Sequence, residues 1–131
     1  MSAEGAVHAA FVAALRGAAE VGGAVNHVFE GPAVKASAPY AEVQAGPVVD
    51  WSTKDRAGRE LRPAVALYDA GESPARLHDL IGAACAAIEA MPRDLDGWRI
   101  ASLAFSRSRM LRMKPGEWAA TVEYRVRVLA V

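Results

Sequence analysis

Cysteine is almost missing from this chain: Cys85 stands alone among 131 residues, so no internal disulfide can form. A dominant charge is missing as well. Fifteen basic and 15 acidic side chains leave no net charge to draw the protein onto nucleic acid or an anionic membrane. No apolar run approaches the roughly 20 residues that a bilayer-spanning helix needs, so no membrane partner is expected. The start, Met1-Ser2-Ala3-Glu4, lacks the basic and then apolar pattern of a secretory signal. Together these absences imply a protein made in a reducing cytoplasm. With just over half its residues apolar, the length suits one domain spanning residues 1–131 around one core.

Chemistry-bearing motifs are equally scarce. Cys85 and His78 share a helix face but sit seven residues apart, about 10.5 Å along a helix axis and too far for a nucleophile and its base. His8, His27 and His78 have no partners at ligand spacing, whereas a structural zinc site needs about four ligands. Asp94 with Asp96, and Asp50 with Asp55, fall in turns and polar connections where acids cap helices and solvate the chain. Gly17 and Gly22-Gly23 follow a helix rather than opening one, and no Gly-Lys-Ser/Thr comes after them. The expectation is a protein that is not an enzyme and that takes no cofactor and no metal.

What the sequence does have is pattern. Trp118, Ala120, Val122, Tyr124, Val126, Val128 and Ala130 alternate with Thr121, Glu123, Arg125 and Arg127, a long strand with one buried and one wet face. Trp98 to Lys114 is a second extended run, and Lys114-Pro115-Gly116-Glu117 between them suits a tight turn. Proline fixes φ at the first central position there, and glycine supplies positive φ at the second. A long C-terminal hairpin follows.

Upstream, Ser2 can cap a helix with Val7, Phe11, Ala14, Leu15, Ala18 and Val21 at helical spacing, running to Gly22-Gly23. Its remaining surface is alanine-rich, which predicts a narrow seam and close approach to a partner. Val28-Phe29 is a short strand and Pro39 to Ala45 another, ended by Gly46-Pro47. Asp50 to Glu60 reads as a polar connection carrying one large aromatic, Trp51. Leu61 to Asp69 reads as a strand in which Pro63, unable to donate, marks an edge or an irregular start. Ser73-Pro74 opens a second helix with Leu77, Leu80, Ile81, Ala84, Ile88 and Met91 on one face, stopped by Pro92. The sum is an α+β fold, two helices packed on one face of a largely antiparallel sheet.

One local excess of charge stands out. Arg99, Arg107, Arg109, Arg112 and Lys114 lie in a stretch with no acidic residue. They form either a solvated outer face or a sequence-blind surface for phosphates, since no aromatics are interleaved to stack bases.

Asp50-Trp51-Ser52-Thr53-Lys54, followed by Gly58 and Glu60, with Pro39-Tyr40 opening the strand before it and Leu67-Tyr68-Asp69 ending the strand after it, resembles the tail-completion proteins of tailed phages. The block is most similar to tail-terminator proteins of prophages and of gene transfer agents. Element order agrees over nearly the whole chain, and Pro63 departs from the family pattern. The resemblance implies a structural virion protein that caps the tail tube as a homohexameric ring, ends its polymerisation and offers a docking surface for the head-side neck protein. It implies assembly in the cytoplasm and then residence in a phage or gene transfer agent tail. On that reading Asp50, Trp51, Ser52, Thr53 and Lys54 meet a neighbouring subunit or the tube. Arg107, Arg109, Arg112 and Lys114 meet the neck or line the lumen, with transient non-specific contact to DNA. The rival expectations are a head–tail connector of the neck, and a small α+β ligand-binding or enzymatic domain, which would keep a pocket with converging polar groups.

Overall fold

The computed structural model describes residues 1–131. Its elements are α1 (Ala3–Gly17), α2 (Ala19–Gly22), β1 (Val28–Phe29), β2 (Tyr40–Gln44), β3 (Val48–Asp50), β4 (Gly58–Leu61), β5 (Ala64–Ala70), α3 (Ala75–Glu89), β6 (Trp98–Lys114) and β7 (Glu117–Ala130). No helix is long and apolar enough to cross a membrane.

The C-terminal hairpin forms as its alternation predicts. Gly116 adopts φ +81° in the turn, and Ala120, Val122, Tyr124, Val126 and Val128 are all buried on one face of β7. β7 is the axis of a seven-stranded sheet. β6 pairs along one of its edges, and β5 and then β4 pair along the other, all antiparallel. Only the short β1 runs parallel to its neighbour, β2. β6 itself shifts register against β7 at three places, Ile100/Ser102, Phe105/Arg107 and Arg112/Lys114.

β4 and β5 follow one register. Leu61 faces Val126 and Ala64 faces Glu123, so three steps on each strand separate the pairings and no residue is skipped. The predicted strand Leu61 to Asp69 is therefore one track along β7, interrupted in its ladder at Arg62-Pro63. Pro63 sits just before β5, between β2 and β7 rather than on an edge, and its carbonyl still accepts from Tyr124 N at 3.0 Å. Opposite it the chain makes the compensating irregularity. Gln44 faces Ala64 and Val48 faces Leu61, four steps against three, so Ala45-Gly46-Pro47 carries one extra residue. Gly46 is obligatory there, since its φ is +69° and an added Cβ would lie 1.9 Å from the Arg62 carbonyl oxygen.

Two expectations need correction. The connection Asp50 to Glu60 is shorter than its polarity suggests, because Val48–Asp50 and Gly58–Leu61 pair as β3 and β4 and leave only 51–57 unpaired. Their charged residues sit on a sheet edge and an uncovered face, where charge costs little. The first helix also stops early, at Gly17. Ala18 is extended and α2 folds back so closely that a Cβ on Gly22 would meet the Arg16 carbonyl oxygen at 2.3 Å.

α1 and α3 cover one face of the sheet, and both meet Tyr124. The Phe11 ring packs edge-on against Tyr124 at 6.1 Å, and the Tyr124 hydroxyl donates to Glu89 Oε2 of α3 at 2.7 Å. Burial, and then Cys85 and Glu89, push this hydroxyl far above the ordinary tyrosine range. Leu77, Leu80, Ala84 and Ile88 of α3 and Val7, Phe11 and Leu15 of α1 join the strand residues in one contiguous core cluster. Ser73 Oγ accepts from Ala75 N at 3.1 Å, but the helix starts one residue later than expected, with Pro74 at the N-cap position instead of Ser73 and no side-chain cap. The same end of α3 is pinned to β5 by Asp69, 5% exposed, whose carboxylate accepts from Arg76 Nε at 2.9 Å and Ala70 N at 2.8 Å.

Tyr124→Phe should cost about 1 kcal/mol for its hydrogen bond, and Tyr124→Ala about 3–5 kcal/mol for the cavity, read from urea midpoints. Arg76 holds the Asp69 carboxyl below the usual carboxylate range. Its contribution is complete above the ordinary carboxylate pKa and disappears as pH falls through the depressed folded value. Asp69→Asn should therefore flatten the acid limb of the melting temperature against pH while lowering stability near neutrality by about 2 kcal/mol.

Candidate functional site

The helices leave the other face of the sheet bare, and of the residues singled out in the sequence Trp51, Arg107 and Arg109 lie on it. On β7 that face carries Thr121, Glu123, Arg125 and Arg127, and register brings Glu60 opposite Arg127, and Arg109 and Arg107 opposite Thr121 and Glu123. Alternation along β3 and across the hairpin tip puts Trp51 there too, under Arg127, whose guanidinium carbon lies 5.4 Å from the indole centroid.

These side chains form a chain of contacts across the face. From Trp51 it runs to Arg127, whose Nε donates to Glu60 Oε1 at 2.9 Å. Glu60 Oε2 lies 3.9 Å from Arg62, Arg62 lies 3.8 Å from Glu123, and Glu123 Oε2 accepts from Arg107 Nε at 3.3 Å. Arg127 comes first among the causes that lower the Glu60 carboxyl pKa. The carboxylates lie beneath the arginines: the Glu60 and Glu123 side chains are 17% and 21% exposed, against 41% for Arg62 and 78% for Arg107. The outermost charges are thus positive. Five arginines, at 62, 107, 109, 125 and 127, share the face with three glutamates, at 42, 60 and 123. Arg125 Nε is enclosed without a hydrogen-bond partner.

The block Asp50 to Lys54 builds the hairpin tip. Ser52 Oγ donates to Asp50 Oδ1 at 2.6 Å and accepts from Gly58 N at 3.0 Å, while Thr53 Oγ1 accepts from Arg56 N at 3.0 Å. Gly58 is required by close approach, for a Cβ there would lie 2.4 Å from the Trp51 carbonyl oxygen. The spaced residues Trp51, Gly58 and Glu60 are therefore one local unit. Lys54 stands exposed at the turn.

The basic strip divides. Arg107 and Arg109 point to the bare face, whereas Arg112 faces Trp118 on the other side of the sheet, and Lys114 lies at the turn, 3.8 Å from Glu117. The strip runs from the middle of β7, where Arg107 faces Glu123, to its turn end at Lys114, and the Trp51 tip lies towards the other end. Ala57 O accepts from Ala130 N at one end, and Gly116 O accepts from Gly71 N at the other. Sequence reading missed Arg62, Arg125, Arg127 and the two glutamates as parts of the site. The wet-face alternation of β7 held the signal, which lacked only the register against β4. Cys85 is free and half-buried on α3, and the Asp50 and Asp94 carboxylates are engaged by Arg59 at 3.3 Å and Arg99 at 2.9 Å.

If Trp51 gains its stability from Arg127 rather than from the core, Trp51→Ala and Arg127→Ala should each cost little. A double-mutant cycle in urea should return a coupling of about 0.5–1 kcal/mol. A loss of about 3–5 kcal/mol for Trp51→Ala alone would be the mark of a core plug.

The sequence profile of a family described as tail completion protein gp17 matches residues 6–129. Among solved structures the chain is similar to one in the virion of the native gene transfer agent particle, at 25% identity and a TM-score of 0.76, covering 96% of each chain. No curated protein matches.

Proposed function

This chain belongs to the tail completion protein gp17 family, and from that premise we propose that it caps the tail tube as a hexameric ring, ending polymerisation and presenting the surface to which the head joins. The coarser statement, a structural protein of a phage-type tail, rests on that family and on the virion chain it resembles along almost its full length. In this reading residues 1–131 act as one tail-terminator domain, assembled in the cytoplasm and then held in the tail of a phage or gene transfer agent particle.

The observation that supports the finer reading is that the Asp50–Lys54 tip lies towards one end of β7 while the basic strip runs from the middle of that strand to its other end. β7 has 14 residues, which at about 3.3 Å each gives a span of about 45 Å. A subunit standing with β7 along the tail axis would offer the Asp50–Lys54 tip to the tube or a neighbouring subunit. Its Arg107, Arg109, Arg112 and Lys114 end would then meet the head-side neck protein. The outward arginines favour a partner with acidic groups, and DNA passing through the lumen would feel the same charge as a loose, salt-screened attraction.

Tails assembled without the protein should be overlong and headless in negative-stain images, and a reconstruction of the normal tail end should hold six copies; a single copy or another symmetry would refute the ring. Reversing Arg107 and Arg109 to Glu should abolish head attachment with tail length unchanged. Normal joining with impaired DNA delivery would assign these residues to the lumen instead.

A further inference from the structure

Of the five basic side chains of β6, three are held by carboxylates of their own chain. Arg99 binds Asp94 at 2.9 Å, Arg107 binds Glu123 at 3.3 Å, and Lys114 lies 3.8 Å from Glu117. Arg109 and Arg112 pair with none. Arg112 stands opposite Trp118 on the helix side, whereas Arg109 opens on the bare face. The carboxylate in the cross-strand row of Arg109 is Glu42, three strands away, about 14 Å at roughly 4.8 Å per strand. Glu42 is engaged there by Ala33 N at 2.8 Å.

Arg109 lines a recess of about 170 Å³ whose other walls are Arg107, Thr121 and Glu123, with no apolar side chain among them. Register makes the recess: Arg109 faces Thr121 and Arg107 faces Glu123, so its four residues are two adjacent cross-strand pairs on one face. Glu123 is drawn to both Arg62 and Arg107, which holds Arg107 in place as a wall. The Arg109 guanidinium and the Thr121 hydroxyl remain as donors. Two arginines against one glutamate leave a single uncompensated positive charge in the recess. One oxyanion cancels it, and a guanidinium fork matches the two oxygens of a carboxylate.

We propose that this recess seats one carboxylate, an aspartate or glutamate side chain of the head-side protein. Arg109 holds it by charge and by its paired N–H groups, Thr121 adds a neutral donor, and Arg107, kept in place by Glu123, closes the side. A DNA duplex fits the recess less well. It brings a negative charge for about every 1.7 Å of its axis, and would set several phosphates against one free arginine with Glu123 beside it. This assignment rests on the head-joining reading and goes beyond it by naming the partner's chemistry and by separating the two arginines: Arg109 makes the bond, and Arg107 shapes the site.

The test is made in particles. The fraction of tails that carry heads is counted in negative-stain images for wild-type protein and for Arg109→Gln, Arg109→Lys, Arg107→Gln and Thr121→Val, and thermal melts of the purified variants check that each is folded. Arg109→Gln should lower the joined fraction about tenfold or more, and Thr121→Val, which removes no charge, about threefold. Arg109→Lys should fall between wild type and Arg109→Gln, since lysine keeps the charge and loses the fork. Arg107→Gln should cost less than Arg109→Gln, and tail length should stay normal throughout. Equal losses for the two glutamine variants with Thr121→Val at the wild-type level would mark a diffuse positive surface and overturn the seat. Normal joining by Arg109→Gln overturns it too, giving the recess to a DNA phosphate if delivery is impaired and to no partner if delivery is normal. If tails lacking the protein altogether still carry heads, the head-joining reading itself fails and this assignment with it.

Discussion

Tyr124 is the point at which the layers of this protein are joined. Its ring lies between Phe11 of α1 and Phe105 of β6, its hydroxyl binds Glu89 of α3, and its backbone nitrogen donates to Pro63. A buried hydroxyl must find a partner or cost about 1–3 kcal/mol, so this residue sets where α3 lies over the sheet as well as adding apolar area. Asp69 with Arg76 fixes the other end of the same helix. With α3 held at two points and α1 packed beside it, the helices lie on one side, and the opposite side of β7 is left to arginine and glutamate.

That uncovered side explains a sequence block that looks like a recognition motif. The polar residues of Asp-Trp-Ser-Thr are engaged in closing their own hairpin, Gly58 gives the space to do so, and Glu60 holds the arginine that covers Trp51. A residue pattern of this kind is needed by the fold first. Any contact with a neighbour uses what remains exposed, namely the outer part of the indole, Lys54, and the guanidinium groups.

Legibility in the sequence followed the strength of periodicity. β7, its Pro-Gly turn and the body of α3 are written in alternation, turn chemistry and a 3.6-residue stripe, and each formed where expected, whereas the Ser73 cap gave way to Pro74. β3 and β4 were hidden because, on an edge and an open face, they keep charged residues, and nothing in composition separates such strands from a loop. The break at Ala18 was hidden because alanine and glycine give no sign of where a helix folds back. The division of the basic strip was available from strand parity alone, for residues 109 and 112 cannot share a face of a regular strand. The arginines of β4 and β7 were not, because their coming together depends on pairing between residues 65 to 71 positions apart.

The three register shifts in β6 bear on what happens before any particle exists. A 17-residue strand with one free edge is long enough to recruit strands from other copies and grow without limit, and many structural proteins are made in large number at one time. Each bulge tilts the backbone and breaks the run of evenly spaced donors and acceptors, so only short stretches of the edge remain regular. The protein can thus keep a long strand and still stay dispersed while it waits, with its associations decided by side chains that match one place rather than by a backbone that matches every strand.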